Sequence, residues 1–304
     1  MKKGMTIVFF TLLAALLYYG SVTYEASCQA LAIWFEKLVP SLFAAMVVIR
    51  ILDGQGLLAA LSRRLFGFTE NLFHISPDAF SLVFASFFLG SPAGQILIDD
   101  YVRDGRLSQA EGRRLACCVT VSTPSFILIT CGSVLLQSFQ YGLMIWLAEF
   151  FAVMLLLFFT RSTPVALQLD PRGSVPSLFE NLKDAVVQAG VSLYFIGAYL
   201  LLTLVLLNLT TMKLPSAWQL PIQCVTEFSL GTNNLALLPL AVPLKALLMT
   251  LVLGFASFSV HLQVLSLTPH LHLTYLRYLG YRLMQTGLAG SVFLFLMMLQ
   301  RLRG

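Results

Sequence analysis

The 304 residues include 19 Lys or Arg and 14 Asp or Glu, a charged fraction of 11%, against about 25% in ordinary soluble domains. Apolar residues make up 58%, so a soluble fold could not wet its surface. Disorder, a coiled coil, a collagen-like chain and a disulfide-stapled secreted domain are excluded with it. An outer-membrane barrel needs alternating strands of about ten residues separated by turns. This chain reads instead as apolar runs of roughly 20 residues, the length that crosses a bilayer as a helix. The expected fold class is an all-α polytopic membrane protein.

Residues 4–24 follow Lys2 and Lys3 and carry no charge. They are long enough to span and lack a clean small-x-small cleavage site, which predicts a retained N-terminal helix over 1–25 with a cytoplasmic N-terminus. A second span, 31–49, returns to Arg50. Leu57, Leu58, Leu61 and Leu65 set against Arg63 and Arg64 then predict an amphipathic helix lying in the interface. Residues 79–98 are long enough to cross, but a crossing would place Arg103, Arg106, Arg113 and Arg114 outside, against the positive-inside rule. Gly90-Ser91-Pro92-Ala93-Gly94 divides that run into arms too short to span. Pro removes a helix donor and Gly frees the backbone, so the reading is a re-entrant hairpin that enters and leaves on the cytoplasmic side.

Residues 115–136 cross outward with a break at Ser122-Thr123-Pro124-Ser125, and 139–160 return. The polar stretch 166–184, with Pro171, Gly173 and Pro176, is read as a cytoplasmic linker. Residues 185–212 cross out again. The run 214–244 is interrupted by Pro215, Pro221, Glu227 and Gly231-Thr232-Asn233-Asn234, which predicts a second hairpin. Residues 246–268 return ahead of a cytoplasmic Arg277 and Arg282, and 283–300 form the last span. This gives about seven transmembrane helices and two re-entrant hairpins. They fall into two inverted repeats, 26–165 and 185–304, each ordered helix, hairpin, broken helix, helix. Arg301 and Arg303 are left outside as the cost of that topology.

No catalytic signature is present: no G-x-S-x-G, no H-E-x-x-H, no Walker lysine, no Rossmann glycines. An enzyme is therefore not expected, and neither is a cofactor. An intramembrane enzyme would need Glu227, His261 and either His270 or His272 to converge on one point. The five cysteines show no C-x-x-C spacing and read as small apolar fillers. His270 and His272 lack further ligands, so no metal site is expected. The sequon Asn208-Leu209-Thr210 is read as incidental.

Unwound backbone at membrane depth survives only where protein or a water-filled cavity satisfies it. Paired interruptions in two inverted halves point to a transporter's central site. The candidate substrate-binding residues are Gly90, Ser91, Pro92, Gly94, Gln95, Thr120, Ser122, Thr123 and Ser125 in the first half. In the second they are Glu227, Thr232, Asn233, Asn234, Ser257, Ser259, His261 and Gln263. Small and hydroxylated residues also join helices as structural glue, and for each Ser or Thr that alternative stays open. Glu227 stands apart, because an intramembrane carboxylate is expensive unless paired, protonated or functional. Glu149 receives no role.

Three blocks resemble a known family. Gly90-Ser91-Pro92-Ala93-Gly94, continued by Asp104-Gly105-Arg106-Leu107-Ser108-Gln109-Ala110-Glu111, is similar to a G-x-P-x-G hairpin with its following loop. Thr123-Pro124-Ser125-Phe126-Ile127 is similar to a Pro-x-Phe-Ile break. Gly254-Phe255-Ala256-Ser257-Phe258-Ser259-Val260-His261-Leu262-Gln263-Val264 is similar to a glycine-rich block ending Ser-Val-His-x-Gln-Val. Trp34 to Leu42 resembles the early helix. Together they resemble the sporulation integral membrane proteins of the YlbJ type, with a nucleoside-recognition (Gate) domain and a fold similar to concentrative nucleoside transporters. Thr120-Val121 replaces an Asn pair of that family, and Ser257-Phe258 a Gly pair.

The resemblance implies a permease for a small polar or anionic metabolite, nucleoside-like or dipicolinate-like. The expected setting is the bacterial inner membrane, or the forespore membrane in a spore former. The expected partners are the lipid bilayer, the solute and a coupling proton or cation. No nucleic acid is expected, and a homo-oligomer stays open. The alternative is a non-transporting scaffold for spore or envelope assembly.

Overall fold

A computed structural model describes residues 2–161 and 177–303, and every element among them is helical. The first is α1 (Lys2–Tyr18), which turns through 89° into α2 (Gly20–Ala32). The chain therefore breaks at Tyr19, inside the stretch expected to be one span. From Gly20 it runs on through a widened π-helical segment (Ile33–Leu38) into α3 (Val39–Gly54). The amphipathic stretch forms α4 (Leu57–Phe73), where Leu58 is buried and Arg63 and Arg64 are exposed.

The first interrupted run is a pair of helices, α5 (Pro77–Leu89) and α6 (Ala93–Arg103), joined at Gly90–Pro92. Ser76 caps α5 by accepting the Ala79 amide at 3.2 Å, with Pro77 at the first helical position, where its missing donor costs nothing. A side chain at Gly94 would begin 2.6 Å from Ser86 Oγ and 3.0 Å from Ser86 Cα, so glycine lets α6 start hard against α5. Next come α7 (Gln109–Cys118), an unwound stretch over 119–123, a second π-helix (Phe126–Leu135) and α8 (Phe139–Phe159).

The predicted linker lies outside the described residues over 166–176. Its end, from Leu178, is already helical in α9 (Leu178–Thr211). A capping box starts that helix: Ser177 Oγ accepts the Glu180 amide, and the Ser177 amide donates to Glu180 Oε2 at 3.1 Å. The second interrupted run is α10 (Ser216–Thr226) and α11 (Phe228–Ala236), and it breaks at Glu227. Gly231-Thr232-Asn233-Asn234, expected as part of the interruption, is helical. Gly231 serves a close approach instead, since a side chain there would begin 2.5 Å from Cys224 Cα. The chain ends with α12 (Val242–Phe255), α13 (Ser257–Leu267), a 3-10 turn (Pro269–Leu271) and α14 (Tyr275–Arg303).

Among the described residues, four helical stretches are long and apolar enough to cross a membrane: Phe139–Phe159, Leu178–Thr211, Val242–Leu267 and Tyr275–Leu302. The bent pair Thr6–Tyr18 with Gly20–Leu38 makes a fifth if it is one span. Large apolar side chains such as Phe9, Phe10, Tyr194, Phe295 and Met298 are exposed, a surface that lipid solvates and water does not. α14 packs along α8 and α12, and α9 along α2 and α3. Polar pins tie α9 to the helices it packs along. Trp34 Nε1 donates to the Leu193 carbonyl at 2.8 Å, and Asn181 Nδ2 to that of Ile51 at 2.9 Å. Asp99 holds the 3-10 turn by accepting the Leu271 amide at 3.0 Å and pairing with His270 at 2.7 Å.

Candidate functional site

Four interruptions of regular helix meet in the protein interior. The first is the α5–α6 tip. There the Ser91 amide donates to the Val121 carbonyl at 2.8 Å, and the Val121 amide donates to Ser91 Oγ at 3.1 Å. The tip thus satisfies backbone that the second interruption, 119–123, leaves unpaired; every such group must find a partner at membrane depth.

The third is the α10–α11 tip, where Glu227 takes extended backbone (φ −145°, ψ 111°). Its carboxylate accepts the Leu230 amide at 2.9 Å and the Ser229 hydroxyl at 3.3 Å. It caps the N-terminus of α11, where the dipole favours negative charge. The fourth lies between α12 and α13, where Ala256 (φ +66°) and Ser257 (φ +56°) both occupy the left-handed region that side chains disfavour.

Between these elements lies a cavity with about 60 Å³ open to water-sized molecules. Its polar wall is Ser91, Ser122, Thr123, Glu227, Ser229 and Gln263, and Leu38, Phe126, Ile196 and Phe228 are among the apolar residues that close it. In this conformation that space holds a few waters. Beside it runs an open groove of about 500 Å³, lined by Gln29, Glu36, Lys37, Thr130 and Asn233 among others. The groove shares Leu38, Phe126 and Ser229 with the cavity, and the Phe126 and Phe228 rings meet edge-on at 5.2 Å at their junction.

The structure therefore brings Ser91, Ser122, Thr123, Glu227 and Gln263 to one cavity, and the remaining candidates to other places. Gln95 is buried and donates to the Val119 carbonyl and to Thr120 Oγ1 at 3.2 and 3.1 Å. Thr120 Oγ1 in turn lies 3.1 Å from the Tyr278 hydroxyl. Gly90, Pro92 and Gly94 shape the first tip, and Ser125 pairs with Thr123 at 3.1 Å. Thr232 returns its hydroxyl to the Phe228 carbonyl, Asn234 staples α11 to Gln223 at 2.8 Å, and Asn233 faces the groove. Ser259 accepts from Gln263 at 3.2 Å, and Ser257 is buried at the fourth break.

His261 is not among the residues that line the cavity. Its Nε2 lies 2.8 Å from the Phe255 carbonyl at the end of α12, and its ring packs among Phe255, Phe258 and Tyr278. Among the described residues no group of three or more His, Cys, Asp or Glu side chains is placed to hold a metal.

Arg282, expected in a cytoplasmic loop, is fully buried inside α14. Its Nη1 donates to the Thr120 carbonyl at 2.8 Å and its Nη2 to the Cys117 carbonyl. It therefore sits on the C-terminal end of α7, the negative pole of a half-helix. A buried intramembrane arginine is costly without such partners. The available signal was Gln285 three residues on, which continues a polar stripe along one helix face.

These features define a multi-pass α-helical integral membrane protein. The chain is 23% identical to the sporulation integral membrane protein YlbJ of Bacillus subtilis (strain 168), in an alignment of 330 positions covering 95% of this chain and 81% of that protein. No family model matches the chain, and no solved structure matches it.

Proposed function

We propose that this protein is a transporter that moves a small polar or anionic metabolite by alternating access at the cavity between its two hairpin tips. It is not an enzyme in this reading. One observation supports it above the rest: tips and breaks from two separate stretches of the chain converge on one cavity. Broken helices around a central polar site are the construction that secondary transporters use. The repeated order of hairpin, broken helix and helix fits two inverted repeats with about seven spans and two re-entrant hairpins. The N-terminus is then cytoplasmic, in the bacterial inner membrane.

The likeness to the Bacillus subtilis protein extends the proposal to a role in sporulation, with nucleosides and dipicolinate-like dicarboxylates as the solute classes to try. Glu227 is the charged group in the cavity wall. An anionic solute would therefore enter with a proton or a cation. A non-transporting scaffold is the second reading, favoured by the hydrogen bonds that Gln95, Thr120 and Asn234 keep within the protein.

Uptake into liposomes containing purified protein separates the two. Transport predicts accumulation of a nucleoside or a small aromatic dicarboxylate, and its loss in Glu227→Gln and Gln263→Leu with protein still folded. A scaffold predicts no uptake of either class and no solute-induced thermal shift.

A further inference from the structure

Glu149, in the middle of α8, is 2% exposed. Its Oε2 accepts from Gln285 Nε2 of α14 at 2.9 Å. Its Oε1, Gln285 Oε1 and Arg282 Nε are all buried, and none has a hydrogen-bond partner among the described residues. Two orphaned acceptor oxygens at membrane depth leave room for one more positive element, and the smallest is a proton on the carboxylate. A carboxyl O–H would supply these two oxygens with a donor, which Arg282 Nε, unpaired itself, does not provide.

The surroundings supply one charge. Arg282 stands three residues before Gln285 on α14, about one turn from the side chain that donates to Glu149. On the other packed elements, α12 presents Gly254, and a side chain there would begin 3.4 Å from Glu149 Oε1. α7 carries Glu111, Arg113, Arg114, Cys117 and Cys118, and the second π-helix carries Cys131; of these Glu111 bonds the Ser76 amide and Arg114 bonds the Leu157 carbonyl further along α8. Lys245 is engaged with the Ala236 carbonyl, and Arg63, Arg64 and Arg277 are exposed.

We propose that Glu149 is a proton-binding site whose occupancy reaches the cavity through Arg282. The step is simple: the carboxylate takes one proton to become the carboxylic acid and releases it again, with no other bond made or broken. The Arg282 guanidinium, one turn from Gln285, holds the carbonyls of Cys117 and Thr120, and the next residues, Val121 to Thr123, line the cavity. On the other side Gly254 lies two residues before Ala256, which also lines it. Both helix breaks are therefore one step from Glu149. This inference rests on the transport reading for its purpose, but the binding of the proton does not.

The test needs no solute. Infrared difference spectra of the full-length protein in liposomes, recorded between acid and alkaline buffers, are expected to show a carboxylic-acid carbonyl band. Glu149→Gln should remove it, Glu149→Asp should shift it and Glu227→Gln should leave it in place. A spectrum of folded Glu149→Gln identical to wild type would overturn the proton site. Coupling is read from a cysteine at Ser122, with Cys28 and Cys224 replaced by Ser. At one fixed pH its labelling rate should change several-fold when Glu149→Gln is added to that background, and an unchanged rate overturns the link through Arg282. Absence of solute uptake with the band present would sink the transport reading alone.

Discussion

Ser91 and Val121, 30 positions apart, exchange two hydrogen bonds, the Ser91 hydroxyl accepting the Val121 amide at 3.1 Å and the Val121 carbonyl accepting the Ser91 amide at 2.8 Å. A hairpin tip and an unwound segment thereby complete each other's backbone. Ser91→Ala removes one acceptor and leaves the amide of the buried Val121 unpaired. The expected loss is about 1 kcal/mol, read as a lower midpoint in denaturant titration in detergent. Ser91→Thr keeps the hydroxyl and should stay near wild type.

Arg282 offers a larger effect. Arg282→Leu strips both the Cys117 and Thr120 carbonyls of their donor, and the expected cost is roughly 2–4 kcal/mol. Arg282→Lys restores a single donor and should recover part of it. Size-exclusion profiles with thermal unfolding rank the three proteins, and equal stability of the leucine and lysine variants would remove the capping role.

Two glycines give a paired contrast. Gly231→Ala must push α11 away from the Cys224 backbone, at an expected cost of about 1–3 kcal/mol. Gly287, in α14, has open space where a side chain would go. Gly287→Ala should be neutral or stabilise by up to about 1 kcal/mol, because alanine narrows the unfolded ensemble at no steric cost. Thermal unfolding of the two variants beside wild type reads the contrast.

The orientation of the first hairpin follows from where the Asp99–Arg114 region faces. Single cysteines replacing Arg103 and Arg113, with Cys28 changed to Ser, should react with a membrane-impermeant thiol reagent only when it has access to the cytoplasmic face. Labelling in intact cells would show that α5 and α6 carry the chain across the membrane.

What could be read from the sequence divides along physical lines. The tip at Gly90–Pro92 was legible because glycine and proline both oppose a continuing helix, and the break after Cys118 was legible within a few residues from its Ser-Thr-Pro run. The second run offered several interruptions, and the structure breaks it at one of them, Glu227, while Gly231 serves close packing. Glu227 breaks the helix by a route that composition does not advertise, its carboxylate closing the turn that follows. Ala256 gives no local signal at all, because an alanine in the left-handed region is imposed by tertiary contacts. The start of α9 was readable in Ser177-Leu178-Phe179-Glu180 and was overlooked. Arg282 and Glu149 defeated the reading for a common reason: a charge reads as a loop or an interface until its partner, over a hundred positions away, is known.

The cap at Glu227 carries a mechanical consequence. The same carboxylate faces the cavity and clasps the first turn of α11 through Leu230. A guest that draws this group toward itself must loosen that turn, and one that leaves it alone must fit around a rigid post. In the proposed transport cycle, recognition and movement of the second hairpin would thus be a single event written into one side chain.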